Sequence, residues 1–582
     1  MSTIRTYSDN HGLPGWRLKF VLWVLLGFAL VLVGRLFYLQ VIQGSFLASK
    51  AEQAHQLVRE IDPPRGRIYD RNGKILASNI TVYRLYATPQ YVEDPESAAQ
   101  QLSPLIGVPA KEIADKLKQD VPWVSIATRL TTEQKEKIEA LHIPGIGFEP
   151  QTARAYPNGS LAAQVLGFTN FENVGSYGVE GEYNNYLSGE PGKMIAEQDP
   201  AGNWIPVAQR QVIPPKPGAD VQLTIDATVQ YYAEEVLQKT VKEQKAKGGS
   251  IIVMDPYTGE ILAMASYPTF NPQEFYNVRN TSVFANPAIS SAYEPGSTFK
   301  IITMAAGLAA GVITPDTRID DKGYLNVYGY TIHNWDGRPH PNESMTEVLM
   351  NSANVGAAYV STKLGEDRFY RKVQDFGFGA KTGIDLQGEA TGILVLPSSK
   401  NWSPINLYTN AYGQGIAVTP IQLITAQAAV ANGGLLMRPY VVSKIERNGK
   451  VIKENRPTVV RRVLSRQVAE TLKSMMKTVV EEGEYQVARI PGYSVGGKTG
   501  TASVPVNGQY DPNVTIASFI GYSPVKHPKF IALIKIDQPK GSRWGSEVAA
   551  PAFKELARKL YTYYNIPPDQ PEQIETSSGE QG

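Results

Sequence analysis

The run FVLWVLLGFALVLVG, residues 20–34, carries no charged side chain in fifteen positions, and apolar character resumes after Arg35 and continues to Ile42. A bilayer needs roughly 20 such residues. The length suffices once the run is taken through to Ile42, because Arg35 near the far end can extend its long side chain to the headgroups. Arg5, Arg17 and Lys19 precede the run. An excess of basic residues on a short leading tail predicts that residues 1–19 stay in the cytoplasm and that everything after residue 42 lies outside. No small-residue cleavage site follows the apolar core directly, which favours an uncleaved anchor over a signal peptide.

The 582 residues are enough for two to four domains, each with its own core. A formal net charge of +2 supplies no field for nucleic acid. With no cysteine there is no disulfide, no thiolate nucleophile and no cysteine-bound metal. The six histidines, His11, His55, His142, His333, His340 and His527, never pair at metal-ligand spacing, so a metalloenzyme is not expected.

Residues 43–220 mix short strands, turns and charged helical stretches. PPRGRIYDRNGKILASN reads as two strands around a turn at Asn72-Gly73. EDPESAAQQLSPLIGVPAKEIADKL reads as short helices broken at Pro104 and Pro109. The proline-rich VIPPKPGAD, residues 212–220, predicts a domain joint. After it Asp226 caps a helix running to near Gly248, GGSIIVMDPYTGEILAMASYP forms two strands, ASFIGYSPV and KFIALIKID form a hairpin, and EVAAPAFKELARKLYTYY closes the domain as a helix. Residues 221–566 thus predict an α+β domain: an antiparallel sheet flanked by helices, with a helical insertion. The polar tail 567–582 is expected to be disordered.

The chemistry is concentrated in three short motifs. In EPGSTFKIITMAAGLAAG, residues 294–311, Pro295-Gly296 make a turn and Ser297 opens a helix that is apolar almost all round. Lys300 follows three positions later on the same face. Burial strips water from its amine and favours the neutral base that a serine hydroxyl needs to become a nucleophile. Ser-x-x-Lys recurs at Ser474–Lys477 and Ser523–Lys526, in an amphipathic helix and a hairpin connection, where both read as surface coincidences. Ser352-Ala353-Asn354, inside the apolar helical segment MTEVLMNSANVGAAYV, places polar groups where partners are needed. Ser352 can relay protons near Lys300, and Asn354 can bind a substrate amide. The same spacing at Ser8–Asn10 falls in the tail, and at Ser399–Asn401 in a loop.

GYSVGGKT, residues 492–499, matches the phosphate-cradling loop of nucleotide hydrolases letter for letter. Such a loop must lead straight into a helix. Here GTASVPVNGQYDP follows, with Pro505, an Asn507-Gly508 turn and Pro512, and the predicted compartment holds no nucleotide pool. Lys498-Thr499-Gly500 is therefore read as part of a strand: Lys498 attracts a carboxylate, Thr499 hydrogen-bonds it, and Gly500 admits substrate backbone. The upstream Lys381-Thr382-Gly383 lies in a glycine-rich loop and reads as structural.

Ser-x-x-Lys, Ser-x-Asn and Lys-Thr-Gly in this order resemble penicillin-binding proteins and serine β-lactamases. RGRIYDRNG, the Arg154-Ala155-Tyr156-Pro157 stretch and GVEGEYNNYLSGEPG resemble the pedestal of the class B, monofunctional penicillin-binding proteins. Several of those carry a second arginine where Ala155 stands. EPGSTFK, NSANVG and YGQGIAVTPIQL look more like the cell-division enzymes than the elongation enzymes. The resemblance implies a single membrane helix at 20–42, an elongated non-catalytic dimerisation-type pedestal at 43–220 and a β-lactamase-like transpeptidase domain at 221–566. It implies that Ser297 attacks a D-Ala–D-Ala stem peptide, with Lys300, Ser352, Asn354 and Lys498 catalytic and Thr499, Gly500 and Thr501 on the substrate. The backbone amides of Ser297 and Thr501 are the implied oxyanion donors, and β-lactams are captured the same way. Implied partners are peptidoglycan strands and their lipid-linked precursors, a SEDS-type glycosyltransferase, divisome proteins and the cytoplasmic membrane, with no nucleic acid or nucleotide. An elongation-type transpeptidase, a D,D-carboxypeptidase or β-lactamase on the same fold, and a non-enzymatic penicillin sensor remain open alternatives.

Overall fold

A computed structural model of the chain describes residues 15–47, 56–197, 211–483, 486–506 and 509–571. The leading tail with Arg5 and Ser8–Asn10, the expected Asn507-Gly508 turn and residues 572–582 lie outside the described residues. By compactness the chain divides into residues 1–63 with 190–216, and residues 64–189 with 217–582. The segment expected as one pedestal, 43–220, is thus split between the two units.

The first unit holds helix α1 (Gly15–Phe37) and one wider turn, Tyr38–Ile42. These 28 residues, Gly15–Ile42, are apolar and unburied, the one candidate membrane span among the described residues. At 1.5 Å per residue they reach about 42 Å, beyond the hydrocarbon thickness. The helix begins at Gly15, ahead of the expected residue 20. The same unit contains a three-stranded antiparallel sheet in which Gly192–Glu197 lies between Gln56–Ile61 and Gln211–Ile213.

The second unit opens with the expected hairpin, β1 (Ile68–Tyr69) and β2 (Ile75–Ala87). Asp70 Oδ1 accepts from the Asn72 and Lys74 N–H groups at 2.8 and 2.7 Å, and Gly73 takes the positive φ of 84° that the turn requires. β2 pairs antiparallel with β3 (Val124–Leu130) and β4 (Ile146–Ala155). A small core beneath them is closed by α2 (Pro95–Ile106), α3 (Ala110–Leu117) and α4 (Thr132–Glu139). Pro104 does not break α2, contrary to expectation. Ala98, Ala99 and Leu102 bury that helix face, and the helix continues to Ile106 before Gly107, left-handed at φ 70°, ends it.

The proline-rich joint leads from Gln211–Ile213 of the three-stranded sheet to a strand of a second sheet. Directly after it β5 (Asp220–Leu223) pairs parallel with β1 and antiparallel with Val442–Arg447, so one seven-stranded sheet draws on both sides of residue 220. Asp226 then caps α5 (Ala227–Glu243), accepting from Thr228 and Val229. α5 stops before the expected Gly248 because that glycine already belongs to β6 (Gly248–Met254), which pairs with β7 (Ile261–Tyr267).

The helical insertion includes α6 (Lys300–Ala309), a strand pair β8 (Arg318–Asp321) and β9 (His340–Ser344), α7 (Met345–Met350), α8 (Asn354–Leu364), α9 (Pro420–Ala431) and α10 (Arg466–Glu482). The chain returns as β10 (Gly496–Val506), β11 (Gln509–Ser523) and β12 (Phe530–Asp537), completing an antiparallel sheet of order β7-β6-β12-β11-β10. Alternate side chains of β6 enter two different cores: Ile252 and Met254 face the insertion, while Ile251 and Val253 face α5 and the closing helix α11 (Gly545–Tyr563). This is the expected α+β arrangement. The tail begins later than residue 567, since Asp569 accepts from the Ser494 N–H at 2.8 Å and the Gln570 N–H donates to Gly492 O at 3.0 Å.

A buried ionic knot ties the pedestal segments together. Glu180, fully buried, accepts from Arg65 Nε at 2.7 Å and from Arg154 Nε at 2.6 Å. Arg154 Nη1 also donates to Gly66 O at 2.7 Å, and Gln273 Nε2, from beyond β7, donates to Arg154 O at 3.2 Å. Removing the carboxylate leaves two guanidinium groups buried without their counter-ion. Glu180→Ala is therefore expected to cost about 3–5 kcal/mol of stability, read as a lowered midpoint in denaturant melts.

Candidate active site

Ser297 sits on the tight turn Gly296–Phe299, which leads directly into α6. Every residue from Lys300 through Gly307 is buried. Gly296 takes φ 56°, and its N–H donates to Gly413 O at 3.1 Å. Lys300 lies one turn behind the serine, its Nζ 3.1 Å from Ser297 Oγ.

The surroundings of this amine decide its chemistry. Nζ donates to Asn354 Oδ1 at 2.8 Å and to the Ser352 carbonyl, with Ser352 Oγ at 3.3 Å. No carboxylate pairs with it among the described residues. Burial first, and the positive charge of Lys498 second, push its pKa well below the usual lysine value. A neutral amine has two N–H donors and one lone pair. Both donors have fixed acceptors, so the lone pair faces the Ser297 hydroxyl.

The Ser352–Asn354 motif is not inside a helix, as the sequence suggested. α7 ends at Met350, and Ser352 takes φ 53° in the left-handed region before α8 starts at Asn354. The break points the Ser352 carbonyl at Lys300 instead of along a helix axis. A left-handed conformation is costly for a residue with a side chain, and neighbouring contacts hold it here. Asn334 Oδ1 accepts from the Asn354 and Val355 N–H groups at 2.9 and 3.1 Å, capping α8 from outside. Asn354 is engaged at both ends: Oδ1 accepts from Lys300, and Nδ2 donates to His333 O at 2.9 Å. In this geometry Asn354 holds the lysine in place.

Lys498 projects from β10 into the cavity that Ser297, Ser352, Thr499 and Thr501 also line. It is 2 % exposed, and burial lowers its pKa to about 7. Its nearest acceptors are the carbonyl and hydroxyl of Thr499, both 3.4 Å away. Among the described residues it forms no salt bridge. A buried cationic group with no counter-ion is a receptor for an anion. After Lys498-Thr499 the chain continues as strand to Val506, so the helix a phosphate loop requires is absent.

Gly500 meets a packing demand as well. A Cβ there would meet Ser518 Oγ at 2.5 Å, Thr298 Cγ2 at 2.9 Å and Pro295 O at 3.0 Å. The missing side chain lets β10 close onto the nucleophile turn. Thr501 Oγ1 accepts from Gly545 N at 3.0 Å, fixing the start of α11 beside the cavity.

Motif reading missed two indoles. Trp335 and Trp544 line the same cavity with ring centroids 5.3 Å apart, and Trp335 Nε1 donates to Asn351 O at 2.8 Å. Neither has a spacing signal, because they meet only through the fold. The two other Ser-x-x-Lys sequences differ from each other. Ser474 is exposed, and Lys477 pairs with Glu481 at 3.3 Å. Ser523, expected at the surface, is fully buried, its hydroxyl bonded to Ser494 O and Tyr561 Oη at 2.8 and 2.7 Å. The upstream Lys381-Thr382-Gly383 forms a loop tied to Glu389, whose Oε1 accepts from Thr382 N at 2.6 Å and Oε2 from Gly383 N at 3.1 Å.

Comparison with known proteins gives the same picture. Residues 249–558 match the penicillin binding protein transpeptidase domain, and residues 60–223 the penicillin-binding protein dimerisation domain. The chain is 34% identical to stage V sporulation protein D of Bacillus subtilis, over 95% of this chain and 86% of that protein. It is 31% identical to the probable peptidoglycan D,D-transpeptidase PenA of Neisseria meningitidis, over 95% and 94%. The crystal structure of penicillin binding protein 3 from Mycobacterium tuberculosis complexed with aztreonam superposes with a TM-score of 0.69 at 28% identity, covering 88% of this chain and 99% of that one.

The contacts around Gly500 give a direct test. Gly500→Ala is expected to destabilise by about 1–3 kcal/mol through overpacking, measured in thermal or denaturant melts. Adding Ser518→Ala, which removes the nearest obstructing atom, should recover part of the loss.

Proposed function

The chain belongs to the penicillin-binding transpeptidase family, and from that premise we propose that it cross-links peptidoglycan stem peptides through an acyl-enzyme on Ser297. One observation carries this reading: the buried Lys300 amine stands 3.1 Å from Ser297 Oγ with its donors already used. Ser297 Oγ attacks the carbonyl of the D-Ala–D-Ala bond as its proton passes to Lys300. The tetrahedral intermediate collapses, the C–N bond breaks, and the proton goes to the departing D-alanine amine. An amine of a second stem peptide then attacks the ester, loses a proton to Lys300, and Ser297 Oγ leaves and recovers its hydrogen. Ser352 Oγ, 3.3 Å from Nζ, is placed to relay protons between lysine and leaving group. The N–H groups of Ser297 and Thr501 serve as oxyanion donors, each worth about 10²–10³ in rate.

Lys498 and Thr499 receive the terminal carboxylate of the donor peptide, or the carboxylate of a β-lactam. Lys498 has the burial and the missing counter-ion that such a role needs. Thr501, beside them, orients the peptide. Trp335 and Trp544 offer apolar walls for the stem.

The apolar helix Gly15–Ile42 suits a single-pass anchor. We place residues 1–19 in the cytoplasm and the catalytic domain outside, on the strength of Arg17 and Lys19 before the apolar core. The setting is the septal wall during division, with a SEDS-type glycosyltransferase supplying the glycan strand. The motif resemblance, together with a relative named as a stage V sporulation protein, supports that part of the reading.

Fluorescent penicillin should label the full chain covalently, Ser297→Ala should abolish labelling, and Ser474→Ala should leave it unchanged. Lys300→Ala should slow labelling by about 10²–10⁴. Persistent labelling of Ser297→Ala would end the assignment, and rapid release of the label by water would point to a hydrolase instead. Because the chain has no cysteine, single cysteines can report topology. A cysteine placed before residue 15 should resist a membrane-impermeant maleimide in whole cells or spheroplasts, and one after residue 566 should react.

A further inference from the structure

Behind the Ser352–Asn354 break, two carboxyl groups face each other. Glu343, on β9, is 4 % exposed, and Asp321, on β8, is 1 % exposed. The antiparallel register of these strands shifts between Ile319 and Asp321. Asp321 is well supplied with donors: Oδ1 accepts from Gly323 N and Oδ2 from Asn334 Nδ2, each at 2.7 Å. Glu343 is not. Its Oε2 accepts from Asn351 Nδ2 at 3.3 Å, and its Oε1 is buried with no donor at all. Among the described residues no arginine or lysine bridges the pair. Glu347 of α7 lies close by, but it is occupied by Arg318 at 3.4 Å, and His340 is on Asp336 at 3.1 Å. Lys300 of α6, flanked by Lys498 of β10, is the cation whose charge both carboxyls influence.

Two apposed carboxylates without a cation cannot both stay ionised. The donors decide which one keeps the charge: two strong N–H contacts hold Asp321 as the anion, so the proton belongs on Glu343. Placed on Oε1 and directed at Asp321, it also supplies the hydrogen bond that oxygen lacks. Burial, ahead of the nearby Asp321 charge, raises the Glu343 pKa to about 8, in agreement with the contacts.

We propose that Glu343, as the neutral acid, is a positioning residue for the acyl-transfer site: it donates to Asp321, and the Asp321–Asn334 strut in turn fixes the first turn of α8 and holds Asn354 on Lys300. The chain of contacts is continuous. Glu343 reaches Asp321, Asp321 reaches Asn334 Nδ2, Asn334 Oδ1 takes the N–H groups of Asn354 and Val355, and Asn354 Oδ1 takes Lys300 Nζ. The arrangement has an electrostatic consequence. With Glu343 neutral, one negative charge lies behind Lys300 instead of two, and the amine stays unprotonated and able to act as a base. When Glu343 ionises above about pH 8, the added negative charge raises the Lys300 pKa, but an amine held so far below its usual range stays unprotonated there, so the state of the carboxyl pair is read on the acidic limb.

This inference rests on the transpeptidase reading, and the experiment separates the two. Acylation of the full-length protein by a chromogenic β-lactam is followed from pH 5.5 to 9.5 for wild type, Glu343→Ala and Glu343→Gln. The acidic limb reports Lys300 in the free enzyme. Glutamine keeps a neutral donor toward Asp321, so its acidic limb should match wild type and its rate at pH 7 should stay within about threefold. Lys498 titrates in all three proteins, so the difference between profiles is the quantity read. Alanine strips the Asp321 charge of its donor and loosens the strut. Its acidic limb should rise by about one pH unit, an approximately tenfold lower rate at pH values on the limb itself. A uniform loss at every pH in Glu343→Ala, with no shift of the limb, would mean only a structural role and overturn the proposal. So would glutamine and alanine behaving alike. Failure of wild type to acylate would instead overturn the transpeptidase reading itself.

Discussion

The catalytic half of this molecule depends on a lysine amine buried without a counter-ion. An ammonium in that position would demand a carboxylate, and none pairs with Lys300 among the described residues. It is offered two fixed oxygens, the Ser352 carbonyl and Asn354 Oδ1, and two hydroxyls, of which Ser297 Oγ at 3.1 Å is nearer than Ser352 Oγ at 3.3 Å. Two acceptors and one donor are what a neutral amine wants, and burial pushes its pKa the same way. The buried helix α6 keeps water away, so the preference for the uncharged form survives at neutral pH.

Much of the surrounding architecture serves that arrangement. A carbonyl turned sideways to meet Nζ cannot come from a regular helix, where carbonyls point along the axis. The chain therefore breaks between α7 and α8, and Ser352 accepts a left-handed backbone. Asn334 restores the hydrogen bonds lost at the start of α8. On the opposite side β10 has to come close enough to bring Lys498 to the same cavity. It does so at Gly500, where even a methyl group would collide with Thr298 and Ser518. Farther away, the pedestal is locked by a single buried carboxylate between two guanidinium groups, and Gln273 connects that knot to the catalytic domain.

The parts legible in the sequence were those whose chemistry is local. Ser297 and Lys300 lie one helical turn apart on one face, and Pro295-Gly296 before them marks a turn. Proline and the lack of a following helix identified Lys498-Thr499 as strand. The strands around Asn72-Gly73 and Asp255–Gly259 followed from turn residues and alternation. What could not be read depended on partners distant in sequence. The positive φ of Ser352 is imposed by contacts from residues near 334, and nothing in NSAN announces it. The packing demand at Gly500 was hidden because its neighbours Thr298 and Pro295 come from far upstream in the chain. Pro104 looked like a helix breaker until the buried face of α2 outweighed the one bond it forfeits. Ser523 looked like a surface residue because its partners, Ser494 and Tyr561, lie on either side of it in sequence at a distance.

The buried state of Lys498 has a consequence for recognition. With a pKa near 7 and no acid beside it among the described residues, this side chain is only partly protonated at neutral pH. An anionic guest stabilises the protonated form, so docking draws a hydrogen ion from solvent along with the ligand. Affinity for such a guest must weaken as the medium turns alkaline, and an esterified or amidated guest, bringing no charge, forgoes the coupling altogether. Discrimination for a free acid terminus is thus written into the desolvation of one strand residue.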